Sequence, residues 1–331
     1  MLNRKPGALA ALTVTTLSLF GGISAVQAGD LSGAVKIDGS STVYPITEAV
    51  AEEFGSEQRD VRVTVGISGT GGGFKRFTVG ETDISDASRP IKKSELDKAT
   101  ENGVEFIEIP VAYDGLSIVV NHDNDFVKTL TVADLKKIFV EGNAAKTWKQ
   151  VNPAWPDIAI KIYAPGTDSG TFDYFKEVVA GEGESIRSDM SVSEDDNVLV
   201  RGVAGDKGAI GFFGCAYYFE NTDSLRAVAI DGGKGGVLPD KGTIESGEYA
   251  PFSRPLFIYV NAKAADRPEV NAFVQFYLEN SPALAEEVGY VRLPSEITEL
   301  AKANYQSRKT GTQFLNEKGE KVHGPLAKVY K

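Results

Sequence analysis

Short β-branched runs alternate with amphipathic helical stretches along almost the whole chain. No other feature restricts the fold as much. Strand-like runs fall at 34–37, 61–66, 105–110, 116–121, 158–163, 209–213, 227–230 and 256–260. Helical stretches fill the intervals. Ile46, Val50 and Phe54 recur every fourth residue behind Pro45, which a first turn tolerates. Thr131 is placed to cap a helix carrying Leu135, Ile138 and Phe139 that stops near Gly142. Ser169 can cap one carrying Phe172, Phe175 and Val179 that stops at Gly181. Further helices are expected at 74–79, 269–279, 282–287 and 295–307, and the polar tail 311–324 reads as loop or short strand. Such alternation builds α/β layers.

Two extended runs, 111–121 and 252–261, read as crossovers that frame a middle segment with its own helices and strands. A chain that leaves one lobe, builds a second and returns makes two lobes on a two-stranded hinge. That geometry suits closure around a ligand. The first lobe is expected at 33–117 plus 254–331, and the second at 118–253. A chain of 331 residues, 42% hydrophobic, has the material for about two domains.

The start reads as a secretory signal at 1–28: Arg4 and Lys5, then an apolar run at 8–25, then Val26-Gln27-Ala28 as a small-residue cleavage pattern. Processing is expected after Ala28, with a periplasmic destination. A retained anchor is the alternative, because the run is near the length of a span. Against it stand three Thr, two Ser and two Gly within the run. Processing removes two of the 35 basic residues and none of the 46 acidic ones, so an already acidic chain becomes more so. That surface argues against nucleic acid but not against a small anion, which local donors can hold. Cys215 is the only cysteine, so no internal disulfide forms.

Three Ser/Thr/Gly stretches each follow a strand and open a helix: Gly39-Ser40-Ser41-Thr42, Gly69-Thr70-Gly71-Gly72-Gly73 and Asp168-Ser169-Gly170-Thr171. Helix starts present unpaired N–H groups and partial positive charge, which suits an oxyanion. Ser41 and Thr42 can equally be a helix-capping pair, and the glycine run a flexible turn that lets backbone approach a ligand. It is not a Walker loop, since Phe74 stands before Lys75. Arg89, in Asp86-Ala87-Ser88-Arg89-Pro90, is the strong cation near these loops, or a surface residue in a turn. Asn197, in Glu194-Asp195-Asp196-Asn197, is a helix start or a ligand donor. His122 and His323 sit in no nucleophile motif, and no His/Cys cluster has metal spacing. Trp148 and Trp155 read as packing residues.

The chain resembles the phosphate-binding proteins that serve high-affinity phosphate ABC transporters. The resemblance is carried by Ile37-Asp38-Gly39-Ser40-Ser41-Thr42-Val43, by Gly69-Thr70-Gly71-Gly72-Gly73-Phe74-Lys75, by 83–90 and by 165–175, and it continues through 194–203 and 208–218. It implies a two-lobed periplasmic binding protein of the class II type, with a two-stranded hinge and the ligand in the cleft. It further implies inorganic phosphate as ligand, a membrane permease as partner, no cofactor, no metal, no catalysis and a monomer. Phosphate would be held by Ser41, Thr42, Thr70, Ser169, Gly170 and Thr171. The chain departs from the family at two places. Pro165 stands where many members have an arginine, so Arg89 is expected to supply that charge. Ser88 stands where many have a proton-accepting aspartate, so Asp86 or Ser88 takes that role. Another tetrahedral oxyanion (sulfate, arsenate, molybdate) or a secreted phosphatase are the alternative functions.

Overall fold

Parallel strands cannot be joined by a tight turn, so each such pair here is connected through a helix. The computed structural model describes residues 31–331 apart from Asn143, Asp168, Glu182, Glu194 and His323. The expected leader and its cleavage point after Ala28 lie outside the described residues.

The chain begins with β1 (Gly33–Gly39), α1 (Tyr44–Glu57), β2 (Val61–Ile67), α2 (Gly69–Phe77), β3 (Ile84–Ala87), α3 (Lys93–Glu101) and a long β4 (Phe106–Asn121). The middle segment holds β5 (Thr129–Thr131), α4 (Val132–Phe139), α5 (Trp148–Val151), β6 (Lys161–Ala164), α6 (Gly170–Val179), β7 (Ser191–Val192) and α7 (Asp196–Ala204). It continues with β8 (Ala209–Gly214), α8 (Cys215–Glu220), β9 (Leu225–Ala227), β10 (Ala229–Asp231), β11 (Gly236–Val237) and α9 (Lys241–Glu245). The return is β12 (Ser253–Asn261), followed by α10 (Pro268–Glu287), α11 (Ser295–Gln306) and α12 (Leu326–Val329).

Nine strands form one sheet in the order β2-β1-β3-β12-β4-β8-β6-β7, with β9 also paired to β4. β1 runs parallel to β2 and β3, and β6 parallel to β8. β4 is common to both groups. Its first part, Phe106 to Gly115, pairs antiparallel with β12; from Leu116 onward it pairs with β8 and β9. All 16 residues of β4 are buried. The runs 111–121 and 252–261 lie on β4 and β12, and of the two it is β4 that pairs in both groups.

Strand alternation sends neighbouring side chains to opposite faces. On one face α1 packs against α10, where Phe54 meets Phe273 and Phe276 edge-on at 5.3 and 5.5 Å. On the other, Phe74 of α2 meets Tyr259 of β12 at 4.9 Å. In the middle segment Phe175 of α6 stacks on Phe212 of β8 at 3.8 Å, which fixes α6 over its sheet.

The local signals hold where they are strong. Ile46, Val50 and Phe54 are the buried face of α1, and Thr131 caps α4 by accepting the Asp134 N–H at 3.1 Å. Four expectations are corrected. The runs 105–110 and 116–121 are one strand, because β4 runs on past a register shift at Val111 and changes partners after Gly115. The run 227–230 divides at Val228, whose flanks join different sheets. The stretches 269–279 and 282–287 are one helix. Pro282 removes one N–H, but Leu278, Ser281 and Ala285 stay buried on the packed side, so tertiary burial outweighs a local cost of about 3 kcal/mol. The glycine run is not a loop before a helix at 74–79, since α2 already begins at Gly69.

Candidate functional site: a donor-lined cavity at the strand ends

Order β2-β1-β3 means that successive connections leave β1 on opposite sides. A crevice therefore opens beyond its carboxyl end. Gly39 closes β1 with φ 152°, and a Cβ there would run into the Asp86 backbone, so this approach requires glycine. The Ser40 N–H donates to the Asp86 carbonyl at 3.0 Å and anchors the next turn on β3. The Val43 and Tyr44 N–H groups then donate to the Ser40 carbonyl, starting α1 and leaving Ser41 and Thr42 at its mouth. Thr70 occupies the first turn of α2. Its Oγ1 accepts the Ser88 N–H at 3.1 Å and lies 3.0 Å from Ser88 Oγ, which ties the second loop to the third.

The opposite wall is α6. Ser169 caps it by accepting the Thr171 N–H at 3.2 Å. A Cβ on Gly170 would lie 2.6 Å from Thr42 Cα and 2.7 Å from its nitrogen, so backbone touches backbone here. Thr42 Oγ1 donates to the Gly170 carbonyl at 3.4 Å, and Ser41 Oγ donates to the Asp173 carboxylate at 3.3 Å.

These contacts border a cavity of about 180 Å³, lined by Ser41, Thr42, Thr70, Ser88 and Arg89 on one side, by Asp173, Tyr174 and Glu177 of α6 on the other, and by Arg254 of β12 between them. Pockets for organic ligands begin at roughly 300 Å³. This one matches a small ion. Ser169 and Thr171 stand at the head of α6, and Gly170 sets the closeness of the walls. Asn197 is elsewhere: it is exposed in the first turn of α7, where its N–H donates to Asp195 at 2.9 Å.

Arg89 lines the cavity, but its fork closes on Glu95, with Nη1 and Nη2 donating at 2.9 and 2.8 Å and Nη1 also reaching the Pro90 carbonyl at 3.1 Å. Both of its terminal nitrogens thus hold the start of α3. Arg254, which sequence reasoning did not single out, points otherwise. Its Nη2 donates to Thr42 Oγ1 at 3.2 Å, its Nε to Asp114 at 3.2 Å and its Nη1 to Glu177 at 3.3 Å. The guanidinium carbon lies 3.5 Å from the Tyr174 ring centroid, a cation–π contact of about 0.5–2 kcal/mol. Burial pushes the Asp114 carboxyl above its ordinary range, and Arg254 opposes that shift. The available signal was one charged residue heading the otherwise apolar run 252–261.

Asp86 does not line the cavity. It is on β3, buried near Thr47 of α1 and Tyr277 of α10, and among the described residues neither carboxylate oxygen has a hydrogen-bond partner within 3.5 Å, the Thr47 hydroxyl being paired with Tyr277 at 3.0 Å. Burial pushes it up to about 8, Thr47 opposes the shift, and Asp38 adds to it. At neutral pH the group is held largely protonated. Among the described residues no three His, Cys, Asp or Glu side chains are grouped to hold a metal, and no helix is long and apolar enough to cross a membrane.

Sheet order, shared strand and cleft define a two-lobed α/β binding protein of the periplasmic type. Residues 24–281 match the PBP superfamily domain. The chain is 49% identical over 300 residues to protein SphX of Synechocystis sp., covering 89% of each chain. It is 44% identical to the phosphate-binding protein PstS of Staphylococcus saprophyticus, over 85% of this chain and 86% of that one. The crystal structure of a possible phosphate-binding protein from Planctomyces limnophilus is similar with a TM-score of 0.82 at 45% identity, over 84% of this chain and 99% of that one. The chain belongs to the PBP superfamily and, within it, to the family of protein SphX and the phosphate-binding protein PstS.

Proposed function

We propose that this chain captures inorganic phosphate between its lobes and delivers it to the membrane permease of an ABC transporter. One observation carries the reading: the hydroxyls of Ser41, Thr42, Thr70 and Ser88 meet α6 and Arg254 around a single ion-sized cavity. A hydrogen bond to a charged group contributes about 1.5–3 kcal/mol. Micromolar affinity requires about 8 kcal/mol, so a handful of donors suffices after desolvation and closure are offset.

In this reading the first lobe is 33–117 plus 254–331 and the second 118–253, with the change of partner on β4 after Gly115 as the support. Ser41 and Thr42 bind from the turn before α1, Thr70 from the first turn of α2, Ser88 from the turn after β3, and Ser169, Gly170 and Thr171 from the head of α6. Ser88 faces the ion directly, and Asp86 acts only from behind it. Asn197 takes no part. The protein is exported by its leader, works in the periplasm as a monomer and catalyses no reaction.

The test begins with a colorimetric phosphate assay on purified, then denatured, protein, where about one phosphate per chain is expected. Calorimetry with phosphate, arsenate, sulfate and molybdate follows; equal or tighter binding of sulfate would reject phosphate as the ligand. Turnover of a phosphomonoester with zinc or magnesium would reject the non-enzymatic reading.

A further inference from the structure

We propose that Arg254 is the cation that meets the bound oxyanion, and that Glu177 is its built-in competitor: the ligand replaces Glu177 on the guanidinium while Asp114 stays. The proposal rests on the reading that the cavity holds inorganic phosphate.

Two arginines reach the cavity. Arg89 is closed by a two-point pair with Glu95, and both members are mostly buried, at 20% and 18% exposure. Arg254 is divided among unlike partners. Asp114 is 3% exposed and Glu177 is 68% exposed. Removing Arg254 from Asp114 would leave a buried carboxylate unpaired, so that contact is kept. Glu177 can turn into water at little loss, because an exposed ion pair is weak. Arg254 and Glu177 both line the cavity. A planar fork with one edge held and one edge exchangeable suits a tetrahedral oxyanion.

Position supports the same assignment. Arg254 stands opposite Asp114 in the β12–β4 ladder, one pair before Gly115 and Ser253 end that pairing. From this crossing point it touches Thr42 on one wall and Tyr174 and Glu177 on the other. A ligand oxygen on Arg254 is therefore felt by both walls at once. Until then, the Glu177 and Asp173 carboxylates occupy donors that the ion needs. Binding is an exchange of internal anions for an external one, which sets a threshold against weakly charged solutes.

The test is calorimetric titration of the processed protein with inorganic phosphate at low ionic strength, with melting temperatures recorded beside it. Glu177→Gln lies on an exposed helix position and leaves the fold intact. It should bind phosphate about three- to tenfold more tightly, and the gain should shrink as sodium chloride is raised. Arg254→Lys keeps the charge opposite Asp114 but loses the fork, and should weaken phosphate binding at least about tenfold. Glu177→Gln binding no better than wild type, or Arg254→Lys within about twofold of it, overturns the proposal while the phosphate reading stands. A wild-type protein that takes up no phosphate overturns both.

Discussion

α2 and α6 both begin with glycine beside a hydroxyl, and each follows a strand, yet the glycines serve different contacts. In α2 the demanding position is Gly73, where a Cβ would lie 2.6 Å from Gly39 Cα. That glycine seats the helix on the strand beneath it. In α6 the demanding position is Gly170, where a Cβ would meet Thr42 across the cavity. That glycine brings the walls together. The lesson is that a glycine-rich helix start has two uses, packing a helix down or admitting a partner, and local composition does not separate them.

The sharpest way to break the comparison is Gly170→Val. The added carbons would hold the walls apart, so phosphate affinity should fall at least about 100-fold, near 3 kcal/mol, with little change in melting of the unliganded protein. Calorimetry and a thermal melt decide it, and normal affinity would show that the walls need not touch. Gly73→Ala should do the reverse. It lifts α2 from backbone that cannot move aside and should cost about 2 kcal/mol of stability by denaturant unfolding, while the residual folded protein binds almost normally. Arg89→Ala sharpens the contrast between the arginines. It breaks a mostly buried pair and should lower stability by about 1–2 kcal/mol, with affinity changed less than about twofold.

The Asp86 test is read from the sign of a pH dependence. Folded Asp86 titrates at about 8, while an unfolded aspartate titrates near 4. Between these values the folded state holds a proton that the unfolded state has released, so the stability contribution declines as pH rises from about 4 to about 8. Asp86→Asn removes that decline. Its melting temperature relative to wild type should rise from pH 5 to pH 8. A gap that stays constant over that range would mean that the carboxyl ionises normally.

The contacts legible beforehand were those made within a few residues. The Thr131 cap and the Ser169 cap each encode their own partner nearby, and the spacing of Ile46, Val50 and Phe54 encodes a helix face within one helix. Ser41, Thr42, Thr70 and Ser88 were legible as cavity-lining candidates because each falls within a few residues of a strand's carboxyl end. Distant partners were not. Arg254 gains its meaning from Asp114 and Thr42, which lie 140 and 212 residues away. Arg89 looked free because Glu95, six residues on, is brought round only by the turn into α3. Pro282 and the glycines at 69–73 mislead for one reason: burial decided in space outvotes a local preference for ending or loosening a helix.

β4 carries a last consequence for anyone who would take this molecule apart. Its backbone is claimed by β12 along one stretch and by β8 and β9 along the next, with no residue exposed between. A cut there would leave each fragment with a raw sheet margin ready to pair with strangers. Neither portion is a transplantable module. Exchange between relatives succeeds only as a block inserted between both crossings, taken whole.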